Sequence, residues 1–257
     1  MRSAFLETQK QEEVKQTVEA FSITDMGRTR ESNQDSVFCD ENAVGVFPNL
    51  FLVADGMGGH NAGDLASKIG IEAFVESIRN CERRTPVGSM EDALQAANEA
   101  ILNKSYEDPH FRGMGTTLVG MVVTEDVAVV INIGDSRLYR IRDGIEQITV
   151  DHSLVEEMVL SGEIQKDQMR THPNKNIITR ALGTTPYPKP DFFDVDIRKK
   201  DVFLLCSDGL SNMLDDKDIE RIVNQEDKEL SVIGQDLVDA ANEAGGKDNI
   251  SAVLVRI

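Results

Sequence analysis

A chain of 257 residues, 40% hydrophobic, is long enough to bury the core of one large domain or two small ones, which excludes a disordered tail. Its formal charge of −18 lacks the basic footprint on which nucleic-acid or acidic-membrane binding depends, so neither partner is expected. The three cysteines, Cys39, Cys81 and Cys206, are odd in number and widely spaced, which argues against a disulfide framework or CxxC site and fits a reducing cytoplasm.

Residues 1–20 are polar, rich in Gln, Glu and Lys, and carry no apolar signal-peptide core. They are expected to form a solvated extension with some helix. From 21 to 257 the pattern is globular, with strand-like runs "FSITDMG", "SVFCD", "NLFLVADG", "TTLVGMVVTED", "VAVVINIGDSRLYRIRDG", "DFFDVDI", "VFLLCSDG" and "ISAVLVRI". Helices are expected over 63–80 and 90–106, the second opened by an S-x-x-D capping box at Ser89 and Asp92. Two more are expected over 215–224 and 229–244, the latter closed by Gly245 and Gly246. The long apolar stretch 119–133 is cut by Glu125 and Asp126, so no membrane insertion is expected. Pairing of 127–142 through "TED" and "RDG" turns favours antiparallel sheet, hence a mixed α and β class, and the lack of a linker favours one domain. The segment 151–190 is the least periodic, holds two of the four histidines and four of the seven prolines, and reads as an excursion over the surface.

The stretch "NLFLVADGMGGHNAGDLAS" (49–67) passes from an apolar run through a Gly-rich turn into a helical segment, as phosphate-binding loops do. It fails as G-x-G-x-x-G, and where a nucleotide-binding loop needs lysine after Gly58 and Gly63 it has Asp64. With Asp55 just before the turn, it suits a cation. The arrangement recurs: Asp55, Asp135 and Asp208 each end an apolar run, and Asp248 precedes the last one, always beside Gly, Ser or Asn. Singly each is an ordinary turn residue. Four together form a carboxylate cluster that needs compensating cations, and oxygen ligands without Cys or a His pair select Mg2+ or Mn2+. Two such ions, about 3.5 to 4 Å apart, lower the pKa of a bridging water and stabilise the attacking and leaving oxygens at phosphorus. "RTRESNQDS" adds Arg30, a guanidinium fork suited to phosphate, five residues before a further acid, Asp35.

The motifs "RTRESNQDS", "LFLVADGMGGHNAGDLAS", "GMGTTLVG", "NIGDSRLYRIRDG", "QITVDHSLV", "NIITRALG", "LLCSDGLSNML" and "GGKDNISAVLV", in this order, resemble the bacterial metal-dependent serine/threonine phosphatases of the protein phosphatase 2C type. The resemblance runs over 21–257. It implies an α-β-β-α sandwich of two antiparallel sheets flanked by helices, with a binuclear metal site at one end. It implies that Asp55 bridges two Mn2+ or Mg2+ ions, that Gly56 binds one through its carbonyl, and that Asp208 and Asp248 hold the other. Asp35 would orient metal-bound water, Arg30 would grip the substrate phosphate, and Asp135 with Asp208 would hold a third, weaker ion. Residues 151–190 match a flap that influences substrate choice, and Thr116 and Thr117 read as strand and packing residues. The activity implied is hydrolysis of phosphoserine and phosphothreonine in proteins by metal-activated water, in a cytoplasmic monomer opposing a Ser/Thr kinase in growth, cell-wall or stress signalling.

Two positions depart from the pattern. Met57 stands where animal members carry a histidine proposed as general acid, and His60, three residues on, reads as a capping or packing residue in its turn. Gln34 stands where some relatives have glutamate, which implies weaker retention of one ion. Other readings fare worse. A cysteine phosphatase needs C-x5-R, but 45, 87 and 212 are Gly, Val and Asn. The "GDSRL" run resembles the nucleophile block of serine esterases, yet no histidine follows His172 to activate Ser136. A degenerate phosphatase that only binds phosphoproteins would have lost acids at the metal positions, and here all are present.

Overall fold

The structure, a computed structural model, describes residues 18–59, 62–83, 85–225 and 227–257. The chain opens with β1 (Glu19–Asp25), β2 (Asp35–Asp40) and β3 (Leu50–Met57), followed by helices α1 (Ala62–Arg79) and α2 (Pro86–Glu107). Five strands follow: β4 (Gly115–Thr116), β5 (Leu118–Val123), β6 (Val127–Ile133), β7 (Arg137–Ile141) and β8 (Ile145–Gln147). Then come α3 (Leu154–Leu160), β9 (Asp191–Asp196), β10 (Val202–Cys206), α4 (Asp208–Ser211), α5 (Asp216–Val223), α6 (Leu230–Glu243) and β11 (Ile250–Arg256).

Strand β3 shows how the layers arise. Its alternate residues Leu50, Leu52 and Ala54 pack under Phe74 and Ile78 of α1 and Met90 and Leu94 of α2, whereas Phe51 and Val53 face the other sheet. A strand buried on both faces reads as a continuous apolar run, which is what the sequence shows. One sheet has the order β1-β11-β10-β7-β8 and the other β2-β3-β5-β6-β9, with β4 paired to β3. All these pairings are antiparallel. On the outer face of the first sheet, Ile219 and Ile222 of α5 and Ile233 and Leu237 of α6 cover Tyr139, Leu204 and Leu254. Each such buried side chain contributes about 2 kcal/mol by leaving water. The result is the α-β-β-α sandwich that the resemblance implies. No helix among the described residues is long and apolar enough to cross a membrane.

Several expectations need correction. Helix α2 starts a turn before the proposed capping box: Thr85 is its N-cap and Pro86 occupies its first turn, where a missing N–H costs nothing. Ser89 is instead fully buried, its hydroxyl donating to Arg83 O at 3.4 Å, and Asp92 pairs with Arg83. The expected hairpins through both turns form, but the run 127–142, read as one strand-like stretch, is two strands. "TED" joins β5 to β6 and "RDG" joins β7 to β8, but β6 and β7 lie in different sheets, and the chain crosses between them at Gly134, Asp135 and Ser136. The 151–190 segment, read as an aperiodic excursion, contains α3 and a 3-10 turn, Lys166–Thr171. Ser153 caps α3, whose only buried residue is Val155, so no helical periodicity marks it. Of the expected N-terminal extension, 1–17 lie outside the described residues, and β1 begins two residues before the expected boundary.

Candidate active site

The inter-sheet layer changes character at one end. In β3 the positions facing the other sheet run Phe51, Val53, Asp55; in β2 they run Cys39, Val37, Asp35. The same alternation brings Thr117 ahead of Val119, Asn132 after Val130, Ser136 before Leu138, Ser207 after Leu205 and Ser251 before Val253. The apolar core is thus closed by a buried polar layer, and the aspartates sit on it.

Hydrogen bonds fix this layer. Ser207 Oγ donates to Asp35 Oδ2 at 2.7 Å and accepts the Ser251 N–H. Thr117 Oγ1 accepts the Asp55 N–H at 2.9 Å and pairs with Ser136 Oγ at 2.7 Å, while Thr116 Oγ1 and the Thr117 N–H both donate to Asp55 O. Thr116 and Thr117, expected to be packing residues, therefore clamp the backbone of Asp55. Ser136 is fully buried in this bond, which removes it as a nucleophile. Asn249, not singled out from the sequence, ties down the loop that carries Arg30. Its Oδ1 accepts from Gln34 N, and its Nδ2 donates to Met26 O and Ser32 O. The alternation of each strand would have flagged Asn132, Ser207 and Ser251 as interior polar residues.

All the aspartates expected at the site are brought to this end. Asp35 and Asp55 are register partners on adjacent strands. Burial, opposed by the Ser207 hydroxyl, pushes Asp35 up to about 7. Asp55 is raised well above the ordinary carboxylate range by burial and then by Asp35, Asp208 and Asp135. Asp135 is pushed up to about 8 by burial and then by Asp208 and Asp151. Asp208 is raised by burial and then by Asp248, although Asn212 Nδ2 donates to its Oδ2 at 2.9 Å. Arg30 Nη2 donates to Asp248 Oδ2 at 2.6 Å, and that bond is the main reason the guanidinium is held more firmly protonated. Gly56 is required by close approach, since a Cβ there would lie 2.0 Å from Gly63 O and 2.6 Å from Gln34 O. Met57 Cε lies beside Gly115, so this side chain packs and carries no proton. His60 lies outside the described residues.

This arrangement fits hard divalent cations. Asp135 Oδ1 and Asp208 Oδ1 are buried without a hydrogen-bond partner, an arrangement whose cost a cation would remove. Among the described residues no three acidic, imidazole or thiol groups close into a ready cage. Mg2+ and similar ions instead take one or two carboxylates and keep several waters, which suits a spread-out carboxylate set. A small cavity of about 40 Å³ opens between Asp135 and Asp208 on one side and Arg170 and Lys175 of the 151–190 segment on the other. A roomier cavity of about 440 Å³, lined by Arg142, Lys199, Asp201 and Arg256 among others, holds none of these aspartates.

Known proteins with this architecture make the assignment. Residues 26–254 match the protein phosphatase 2C family. The serine/threonine phosphatase stp of Listeria monocytogenes serotype 4b is 37% identical over 242 residues, covering 90% of this chain and 93% of that protein. The crystal structure of serine/threonine phosphatase Stp1 from Staphylococcus aureus superposes with a TM-score of 0.87 at 34% identity, covering 94% of this chain and 96% of that one. The catalytic domain of the serine/threonine protein phosphatase PstP, solved in complex with two manganese ions, gives a TM-score of 0.81 at 31% identity over 93% of this chain and 97% of that one. The chain belongs to the protein phosphatase 2C family, and is thus an enzyme of the protein phosphatase class.

Proposed function

We propose that this phosphatase hydrolyses phosphoserine and phosphothreonine in proteins with the help of two Mn2+ or Mg2+ ions, opposing a Ser/Thr kinase in the cytoplasm. The observation that carries the reading is the set of aspartates massed on the polar layer, with two buried oxygens left unpaired and Arg30 at their edge. Asp55, Asp208, Asp248 and the Gly56 carbonyl would hold the two ions, and Asp135 with Asp208 a third. Bound there, the ions supply charge stabilisation at phosphorus and activate a water.

The protein's own groups do the rest. Arg30 is half-exposed and spends one N–H on Asp248, so other donors of its fork remain for the oxygens of an incoming phosphate. Asp35, fixed at Oδ2 by Ser207, is placed to orient the attacking water. Met57, packed beside Gly115, supplies no proton to the leaving alkoxide. The reading as a mere phosphoprotein-binding module finds no support, because every acid of the expected set is in place. Phosphate release from a phosphothreonine peptide, measured with Mn2+, with Mg2+ and with EDTA beside Asp208→Asn, tests this. Turnover that needs the divalent ion and collapses in the variant is expected; none from folded wild-type protein would overturn it.

A further inference from the structure

Asp135 lies in the crossing between the two sheets, on a turn with no regular secondary structure to hold it. Asn132 Nδ2 reaches Gly134 O at 3.4 Å, but the shorter bonds to the turn come from His152, a residue that the proposed chemistry does not use. His152 is 4% exposed. Its Nδ1 accepts the Gly134 N–H at 3.1 Å, and its own backbone N–H donates to Gly134 O at 2.9 Å. Residue 152 thus holds both backbone polar groups of the residue before Asp135. Gly134 sits at φ +110°, and a Cβ there would lie 2.5 Å from Thr117, so the turn is pressed onto the residue that clamps Asp55. On its far side His152 Nε2 meets Asp191 Oδ2 at 3.1 Å and lies 3.2 Å from Arg180 Nη1, whose hydrogen bond goes to the other Asp191 oxygen at 3.0 Å. Since Gly134 N–H can only donate, Nδ1 carries the lone pair and Nε2 the proton, which goes to Asp191.

We propose that His152 is a positioning residue for Asp135, holding the Gly134 turn so that the Asp135 carboxylate stays directed at the ion it would share with Asp208. The inference rests on the metal reading above. It assigns the two ring nitrogens different work: Nδ1 fixes the turn, and Nε2 anchors the imidazole to the start of β9. Such supporting partners of a ligand typically cost 10–100-fold in metal affinity when lost.

Two conservative variants separate the roles. In His152→Asn the side-chain oxygen falls near the place of Nδ1 and can still accept from Gly134, while the link to Asp191 is cut. In His152→Gln the amide reaches toward Asp191, and the acceptor for Gly134 is lost. Calorimetric titration of the whole protein with Mn2+ should show the weakest binding step about tenfold weaker in His152→Gln and close to wild type in His152→Asn, with the tighter steps unchanged in both. Amide exchange of the metal-free protein should show Gly134 exchanging faster only in His152→Gln. Equal behaviour of the two variants in both measurements would overturn the proposal and leave His152 as a packing residue. A wild type that binds no Mn2+ would overturn the metal reading instead, with Gly134 exchange then deciding whether His152 holds the turn.

Discussion

At one end of the sandwich, Asp201 is buried yet receives two bonds of 2.7 Å from the Arg142 guanidinium and a third from Arg198 N. At the other end, Asp35, Asp55, Asp135 and Asp208 are enclosed mainly against one another, and two of their oxygens have no partner. Asp35 and Asp135 are buried as Asp201 is, and Asp55 and Asp208 are half-buried, but the surroundings differ, and the difference separates an acid that completes a fold from acids left without a counter-charge. Asp151 shows the first pattern even beside the site, since Arg137 grips it through Nε and Nη2 at 2.7 to 3.0 Å.

The sharpest way to break this comparison is to neutralise one acid at each end. Asp208→Asn should lower kcat/KM by about a thousandfold, about 4 kcal/mol of transition-state stabilisation, with little loss of melting temperature. Asp201→Asn should do the reverse, costing about 1 to 2 kcal/mol of stability by removing the carboxylate that accepts two of the Arg142 bonds and the Arg198 N–H, while Arg142 keeps Asp196, and leaving kcat unchanged. Steady-state kinetics and thermal melts on both variants check the pair.

The next effect is on pH dependence. Without metal, Asp35 and Asp135 bind their protons more tightly folded than unfolded. Their stabilising contribution is complete below the ordinary value of 3.8 and is lost as pH rises through about 7 and about 8. The melting temperature of EDTA-treated protein should therefore fall between pH 5 and pH 8. At pH 8, Mn2+ at a hundredfold excess over its Kd should raise it by about 5 to 10 °C. A flat pH profile that Mn2+ does not move would mean these acids are paired in some other way.

Arg30→Lys should raise KM for a phosphopeptide about tenfold with a smaller change in kcat, because a point charge replaces a fork. A fall in kcat alone would place Arg30 elsewhere in the reaction. The smallest effect is expected from Gln34→Glu, which adds a charge where the Gln34 side chain lies beside Gly63 and should tighten Mn2+ binding a few-fold. Unchanged affinity by calorimetry would show that this position lies outside the ions' reach.

Asp55, Asp135, Asp208 and Asp248 were legible because each stands at the edge of a β-rich run beside a small residue, a pattern that survives without knowing which strands pair, and Asp35 was legible from its spacing to Arg30. The polar layer beneath them was not, because a single Ser, Asn or Thr within an apolar run looks like tolerated packing until strand parity shows that Asn132, Ser136, Ser207 and Ser251 all turn inward at one level. The division of β6 and β7 between sheets was equally hidden. Nothing local in "NIGDSR" distinguishes a crossing from a hairpin, and the decision belongs to β10 and β9, which lie 50 to 70 residues away.

Strand β11 lies between β1 and β10, and the Arg30 to Asp248 pair closes across 218 residues. During synthesis, therefore, Asp35 and Asp55 leave the ribosome with neither Asp208 nor Asp248 to meet, and β1 has no neighbour in its sheet. Contacts so distant in sequence form late and slowly. The nascent chain cannot act on phosphoproteins until its last strand has been made and inserted, so a product lacking that strand would be inactive rather than unregulated.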